Sequence, residues 1–263
     1  MKTKYYTLFV ILFLAISSFS QERNFFDYYH WNPELFKANK IYKCHIINKR
    51  YKLGKLDSEH LEIIETYDTL GRITTETEYF EADTTFGWYI NYKYDSLSRI
   101  IETEYFWNDE KNWDKTNYSY NSKGKLSNYC EYNKPNKKSS YSLSNCFKIH
   151  WVKNKVGYVT NSNNDTTVYF KHKGKKAYRY NMQNSIDTEY TNGFMVMRKY
   201  PDNTYHYKRN KQGQIVKTTV FNEENIKIGE TIFEYKKGLL MTVTGYDQNS
   251  TITYQEVYNY FYR

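Results

Sequence analysis

The sequence predicts an all-β protein: an array of antiparallel β-hairpin repeats forming an extended, twisted sheet or an open solenoid, preceded by a signal peptide. Three observations carry that expectation. First, a short phrase recurs. It reads Tyr-Asp-Thr-Leu-Gly-Arg-Ile at Tyr67 to Ile73, Tyr-Asp-Ser-Leu-Ser-Arg-Ile at Tyr94 to Ile100 and Tyr-Asn-Ser-Lys-Gly-Lys-Leu at Tyr120 to Leu126. A worn copy runs from Arg209 to Ile215. Second, the interval is regular: 27 residues from Tyr67 to Tyr94, then 26 to Tyr120. A fixed period of this size marks an array whose units cannot bury their apolar face alone. Third, β-branched and aromatic residues alternate with polar ones around the phrase, as in Ile73 to Tyr79 and Ile100 to Tyr105, which is the strand signal.

The phrase itself specifies a turn. Asp or Asn at its first turn position and Gly at the fourth fit a type I turn closed by a left-handed residue. The side chain bonds the turn backbone, and Gly takes positive φ at low cost. Ser98 replaces Gly in the second copy, so strain or a different turn is expected there.

On these residues the chain resembles the YD repeat of the RHS/YD family. It is more closely similar to the hairpin repeats of secreted Bacteroidota proteins. Those repeats carry a Trp ahead of the Tyr-x-Tyr-Asp turn. Trp107 and Trp113 stand so before Tyr118-Ser119-Tyr120-Asn121, and Trp88 holds a similar place before Tyr92. The likeness covers Leu61 to Tyr132, with weaker copies between Tyr169 and Tyr262. Long RHS proteins wrap their repeats into a shell that ends in a toxin domain. This chain is too short for that, so toxin delivery is not carried over.

The first twenty residues read as a secretory leader. Lys2 and Lys4 precede the apolar run Leu8 to Ile16, and Ser18-Phe19-Ser20 is a cleavage signal that would leave Gln21 first. The run is too short to span a bilayer. The expected organisation is a signal peptide over 1–20, an N-terminal capping segment over 21–41 and a β-hairpin repeat domain over 42–263, with a weak boundary within 133–164. Asn32-Pro33-Glu34-Leu35-Phe36 suits one helical turn with Pro at its first position. Late turns include Asn192-Gly193 and Lys237-Gly238, and Thr251 to Tyr262 reads as a closing edge strand.

Composition limits the function. Without Lys2 and Lys4 the 38 basic residues fall to 36 against 29 acidic ones, a net charge of +7. Export argues against nucleic acid as partner, and the dense clusters Lys134 to Lys138 and Lys171 to Lys176 read as soluble loop charge. Of the three cysteines, Cys130 and Cys146 flank a polar stretch and could form a disulfide in an exported protein, leaving Cys44 over. No Cys/His spacing suits zinc.

Tyrosine is the outlier, at 31 of 263 residues. Thin hairpins need wide, flat side chains whose polar tip can still reach water. The functional counterpart is a set of exposed rings for sugar stacking, for which Trp88, Trp107 and Trp113 are the candidate ligand-binding residues. Glu76 with Glu78, and Glu102 with Glu104, lie at i, i+2 and hence on one strand face. Their separation of roughly 6–7 Å falls between retaining and inverting glycosidase distances. The spacing is generic, so a solvated, salt-linked face is expected. The six histidines share no metal-ligand spacing, and no phosphate loop, nucleophile elbow or HExxH occurs. Thr69, Thr84, Ser96 and Thr166 follow Asp in a pattern resembling an O-glycosylation acceptor of exported Bacteroidota proteins.

The expected function is an exported, non-enzymatic β-repeat protein, a scaffold or adhesion/binding module at the cell envelope, in periplasm, on the surface or outside. It needs no cofactor, does not span a membrane, and takes an envelope protein or glycan as partner. Two alternatives stand beside it: a carbohydrate-binding or carbohydrate-active protein using exposed Trp and Tyr, and an inhibitor or immunity-type protein.

Overall fold

The computed structural model describes residues 32–79, 86–107, 113–135, 138–153, 155–181, 187–191 and 194–263. The expected leader, residues 21–31, Thr84 and the Asn192-Gly193 turn lie outside the described residues.

One short helix, α1 (Pro33–Ala38), precedes eighteen strands. These are β1 (Ile41–Lys52), β2 (Lys55–Tyr67), β3 (Ile73–Tyr79), β4 (Phe86–Tyr94), β5 (Ile100–Trp107), β6 (Trp113–Tyr120), β7 (Leu126–Lys134), β8 (Ser142–Val152) and β9 (Lys155–Thr160). They continue as β10 (Thr166–Lys173), β11 (Lys176–Asn181), β12 (Asp187–Thr191), β13 (Phe194–Lys199), β14 (Asn203–Arg209), β15 (Ile215–Asn222), β16 (Lys227–Lys236), β17 (Leu239–Asp247) and β18 (Ile252–Tyr262).

Every strand pairs antiparallel with its sequence neighbours, as the hairpin signals require, and the pairing runs unbroken through β7, β8, β9 and β10. The open solenoid, however, gives way to a closed barrel. β1 pairs with β2 on one side and with β18 on the other, in register from Ile41↔Tyr262 to Arg50↔Tyr254. The run expected to close the sheet as an edge therefore has a partner within the chain. Closure is the arrangement that removes both free edges, and β1 and β18 are long enough to hold it. Arg263 tightens the seam, donating its amide to Lys40 O at 2.9 Å and a guanidinium N–H to Tyr67 O at 2.9 Å.

The recurring phrase forms the same turn each time. The Asp68 carboxylate accepts the amides of Leu70 and Arg72 at 2.8 and 3.0 Å. Asp95 and Asn121 do the same for their own turns. Ser98 does not change the turn: it takes φ +61° and donates its amide to Asp95 O as Gly71 does to Asp68 O. The strain expected there is a left-handed serine, held by the Asp95 network. The same hydrogen-bond pattern recurs at Asn161, Asn210 and Asp247, with Asn164, Gly213 and Ser250 in the left-handed position. A register shift follows each turn of the phrase, so the post-turn residue faces inward: Ile73, Ile100, Leu126 and Ile215 are all buried.

Successive repeats are fastened by their tyrosines. Tyr94 donates its hydroxyl to Ile73 O at 2.8 Å, and Tyr120 to Ile100 O at 2.7 Å. Tyr235 reaches Ile215 O and Tyr260 reaches Leu240 O, both at 2.9 Å. Trp151 takes the same role against Leu126 O through its indole N–H at 2.8 Å. The basic residue of each turn then covers the next ring: Arg72 over Tyr94, Arg99 over Tyr120 and Lys125 over Trp151, at 4.4–4.6 Å.

Strands alternate, as the pleat dictates, between an inner and an outer face. The larger core joins Phe36 with Cys44, Ile46, Tyr67, Tyr92, Val243 and Tyr258 and others; a smaller one joins Leu126, Phe147, Ile149 and Val159. α1 closes over one end of the barrel. Asn32 caps it by accepting the Leu35 amide at 3.2 Å, and Pro33 opens it. Its Phe36 is fully buried, edge-on to Tyr67 at 4.7 Å and to Tyr260 at 5.7 Å. The turns of the phrase at Asp68, Asp95, Asn121 and Asn210 share this helix end, and those at Asn161, Asn222 and Asp247 lie at the far end.

Candidate functional site

The three candidate tryptophans do not share a face. Trp88 on β4 and Trp107 on β5 are cross-strand partners, and both project inward toward the far end. Tyr105 lies between them, stacked on Trp88 at 5.3 Å and tilted against Trp107 at 4.9 Å. Trp107 is 42% exposed. Trp113 on β6 projects to the outer face, edge-on to Phe106 at 3.9 Å, with the Lys134 ammonium over its ring at 4.3 Å. A single ladder of three indoles is therefore replaced by an inner group of two and an outer one. The cause is strand parity: Phe106 and Trp107 are consecutive, so Trp113, opposite Phe106, takes the other face.

The carboxylate pairs divide the same way. Glu76 and Glu78 were expected on a solvated face, yet both point inward. Glu76 is 8% exposed and accepts the Tyr92 hydroxyl at 3.2 Å. Burial and the charge of Glu62 raise the Glu78 pKa above its ordinary value, against the hydrogen bond from Trp88. Burial first, then Glu78, Glu76 and Asp114, push Tyr105 up to about 12. Glu102 and Glu104 do face outward. Glu102 binds Lys93 at 2.6 Å and Lys115 at 3.9 Å, and Glu104 accepts the Tyr141 hydroxyl at 2.7 Å. The two Thr-Glu-Thr-Glu-like strands look alike, but Ile73 to Glu76 is three residues and Ile100 to Glu102 is two. That one-residue slip exchanges the faces.

A second inward set carries more burial. Glu65 is 1% exposed and accepts the Tyr67 hydroxyl; Tyr258 donates to Glu256 at 2.8 Å. Burial, followed by the neighbouring Glu charges, holds Tyr67 and Tyr258 well above the usual phenol range. These carboxylates are partnered from within the wall and serve its packing.

Among the described residues no group of His, Cys, Asp and Glu suits a metal ion. His45 is lowered by burial and by Lys43; His150, lowered by burial and by Lys148, stacks on Tyr158 at 4.2 Å. Cys130 and Cys146, opposite one another on β7 and β8, form a disulfide on the outer face, while Cys44 is buried. Thr69 and Ser96 are exposed at the helix end and Thr166 at the far end. Of the clustered lysines, Lys176 pairs with Glu189 at 2.8 Å. One group escapes sequence reading: Asn121, Ser122, Lys123, Lys125, Trp151 and Lys153 line a hollow at the helix end. Its two halves come from different hairpins. The only signal in the chain is Trp151 standing where the repeat places its fastening tyrosine.

No family model and no curated protein matches the sequence. Three solved structures resemble the chain weakly. A porin-like protein from Bacteroides uniformis matches at 9% identity over 86% of this chain and 97% of its own, with a TM-score of 0.42. A mutant Tc holotoxin pore from Photorhabdus luminescens matches at 8% identity over 80% of this chain and 14% of its own, TM-score 0.29. A DUF1329 family protein from Desulfovibrio piger matches at 6% identity over 86% and 87%, TM-score 0.28.

Proposed function

We propose that the protein is an exported, non-enzymatic barrel that works in the aqueous part of the cell envelope as a scaffold or binding module and does not span a membrane. The observation that carries this reading is the outer face. Ion pairs line it within the strands: Lys49–Glu59 at 3.1 Å, Lys93–Glu102 at 2.6 Å, and Lys217 and Lys227 on Glu230, both at 2.6 Å. A membrane barrel presents an outward apolar band, and a charge at its midplane costs about 2–4 kcal/mol. Among the described residues ten of the eighteen strands have eight residues or fewer, below the roughly 9–11 that cross a bilayer. No helix of the described residues is long and apolar enough to cross a membrane.

The leader supports export, and the Cys130–Cys146 disulfide suits an oxidising compartment. On the inner face Glu65, Glu76, Glu78 and Glu256 are each held by a tyrosine or an indole, which supports a binding role over a hydrolytic one. The test is fractionation of cells expressing the full chain. The mature protein, starting at Gln21, should leave the membrane pellet without detergent and give no conductance in planar bilayers. Recovery only in detergent, with stable conductance steps, would sink the reading.

A further inference from the structure

The two ends of the barrel differ in charge. The turns at the helix end carry Lys123, Lys125, Lys153, Lys175, Lys211 and Lys237. The two carboxylates in those turns, Asp68 and Asp95, are held by Arg72 and Arg99, each pair at 2.6 Å. The far-end turns carry Asp165, Asp202, Glu223 and Glu224 beside Lys138, with Lys52 and Lys55 flanking the β1–β2 turn, so that end is mixed in charge. A basic end with little opposing charge attracts anions over several ångströms and speeds their encounter.

Within that end the β6–β7 and β8–β9 turns border a shallow, open hollow of about 350 Å³. Three lysines, Lys123, Lys125 and Lys153, line it together with Trp151, Asn121 and Ser122, and no acidic residue does. Lys125 lies over the Trp151 ring at 4.5 Å, and Trp151 is fixed by its bond to Leu126 O. Burial and the nearby Lys123 lower the Lys125 pKa, a strain that a bound anion would relieve.

We propose that this hollow is a seat for an anionic saccharide, and that the barrel's basic end docks on acidic polysaccharide. The inference deepens the aqueous binding-module reading and rests on it. A saccharide is favoured over a flat lipid surface because the charges sit in a concave site beside an indole, which offers a face for a sugar ring. The carboxylate of a uronic acid or a sulfate ester would meet Lys123, Lys125 and Lys153, while the neighbouring hydroxyls would reach Asn121 and Ser122.

The experiment uses the mature full chain and measures binding to polygalacturonate, to heparin, to neutral dextran and to phosphatidylglycerol vesicles. Binding to one or both acidic polymers and not to dextran is expected; which one binds separates carboxylate from sulfate as the ligand group. The triple variant Lys123→Gln, Lys125→Gln, Lys153→Gln should weaken that binding on the order of tenfold or more. The charge-matched far-end variant Lys52→Gln, Lys55→Gln, Lys138→Gln should change it less than about twofold. Both should keep the wild-type circular dichroism and melting profile. Equal losses in the two variants would reduce the effect to net charge and overturn the site. Binding to vesicles but not to either polymer would overturn the saccharide in favour of a lipid surface. A soluble chain that ignores all four probes ends this inference and leaves the aqueous barrel standing; a chain that inserts in bilayers ends both.

Discussion

The barrel wall has two unequal arcs. From β14 through the seam to β9 the chain carries the recurring turn, and at its helix end Ile73, Ile100, Leu126 and Ile215 are buried with their carbonyls taken by the aromatic of the next hairpin. From β10 to β13 the phrase is missing. Those strands have five to eight residues. Among the described residues the buried side chains there are Thr167, Thr188 and Met195, against twelve hydrophobic residues in the larger core of the other arc. Among the described residues no tyrosine of the short arc donates to the carbonyl of a preceding hairpin. Arg209 of β14 reaches back to Met195 O at 3.3 Å, and the His172 ring of β10 reaches Val156 O at 2.8 Å. The difference teaches that the turn does more than reverse the chain: it sets the bulge that aims a residue inward and presents the carbonyl that the next aromatic grips. Turn length alone does not decide this: the two-residue Lys237-Gly238 turn keeps both devices, with Leu239 buried and Leu240 O gripped by Tyr260, whereas the short arc is held mainly by its ladder.

The largest expected effect tests whether stability concentrates in the repeat arc. Phe36→Ala removes a fully buried ring between Tyr67 and Tyr260, and should lose about 3–5 kcal/mol. Met195→Ala in the short arc should lose nearer 2 kcal/mol, because fewer buried neighbours surround it. Urea unfolding by circular dichroism checks both. Equal midpoint shifts would break the comparison.

Two glycines sharpen it at the level of the turns. Gly71 takes φ +73°, and a Cβ there would stand 2.2 Å from Pro33 O and 2.7 Å from Lys37 N. The obstacle is helix backbone, which cannot swing aside. Gly71→Ala should therefore lose roughly 3 kcal/mol or more and loosen α1. Gly174 in the short arc takes φ +59° with nothing within 4 Å, so Gly174→Ala should lose only about 1 kcal/mol. Tyr67 quenching and thermal melts would show whether the ratio holds; a milder Gly71→Ala would mean that the helix does not fasten the seam.

Within the repeat arc stands the Cys130–Cys146 disulfide, closing a loop of 16 residues in sequence. Loop closure of that size is worth about 3 kcal/mol at most in the chain-entropy account, and somewhat less when both partners already face one another across a ladder. Reduction under native conditions should lower the melting temperature while leaving the far-ultraviolet spectrum unchanged at 25 °C. No shift on reduction would show that the β7–β8 ladder alone carries this joint.

Much of this arrangement was legible in local sequence. Asp68, Asp95 and Asn121 announce their turns because a turn depends on five adjacent residues. Closure was hidden, since Cys44 meets Tyr260 across more than two hundred residues and no local pattern encodes that pairing. The faces of Glu76 and Trp113 were hidden for a smaller reason: a single bulge after each turn shifts the register, and one residue exchanges inside for outside. The Asn222 and Asp247 turns escaped because Asn225 and Ser250 replace the glycine that marks the phrase. The basic hollow escaped because two hairpins build it.

The smallest effect addresses the clasps themselves. Tyr120→Phe keeps the ring under Arg99 and removes only the hydroxyl that binds Ile100 O, so it should lose about 1 kcal/mol. Tyr169→Phe in the short arc, where the 43% exposed ring merely stacks on Tyr180, should change stability by no more than a few tenths. Tyr94→Phe and Tyr235→Phe should each resemble Tyr120→Phe. If the repeats are coupled only to their neighbours, Tyr94→Phe and Tyr235→Phe should add, because they lie on separate joints. Tyr94→Phe with Tyr120→Phe shares the β4–β5 hairpin and should depart from additivity. Indistinguishable melts for Tyr120→Phe and Tyr169→Phe would mean that the hydroxyl bonds follow from the fold without holding it, and the contrast between the arcs would then rest on burial alone.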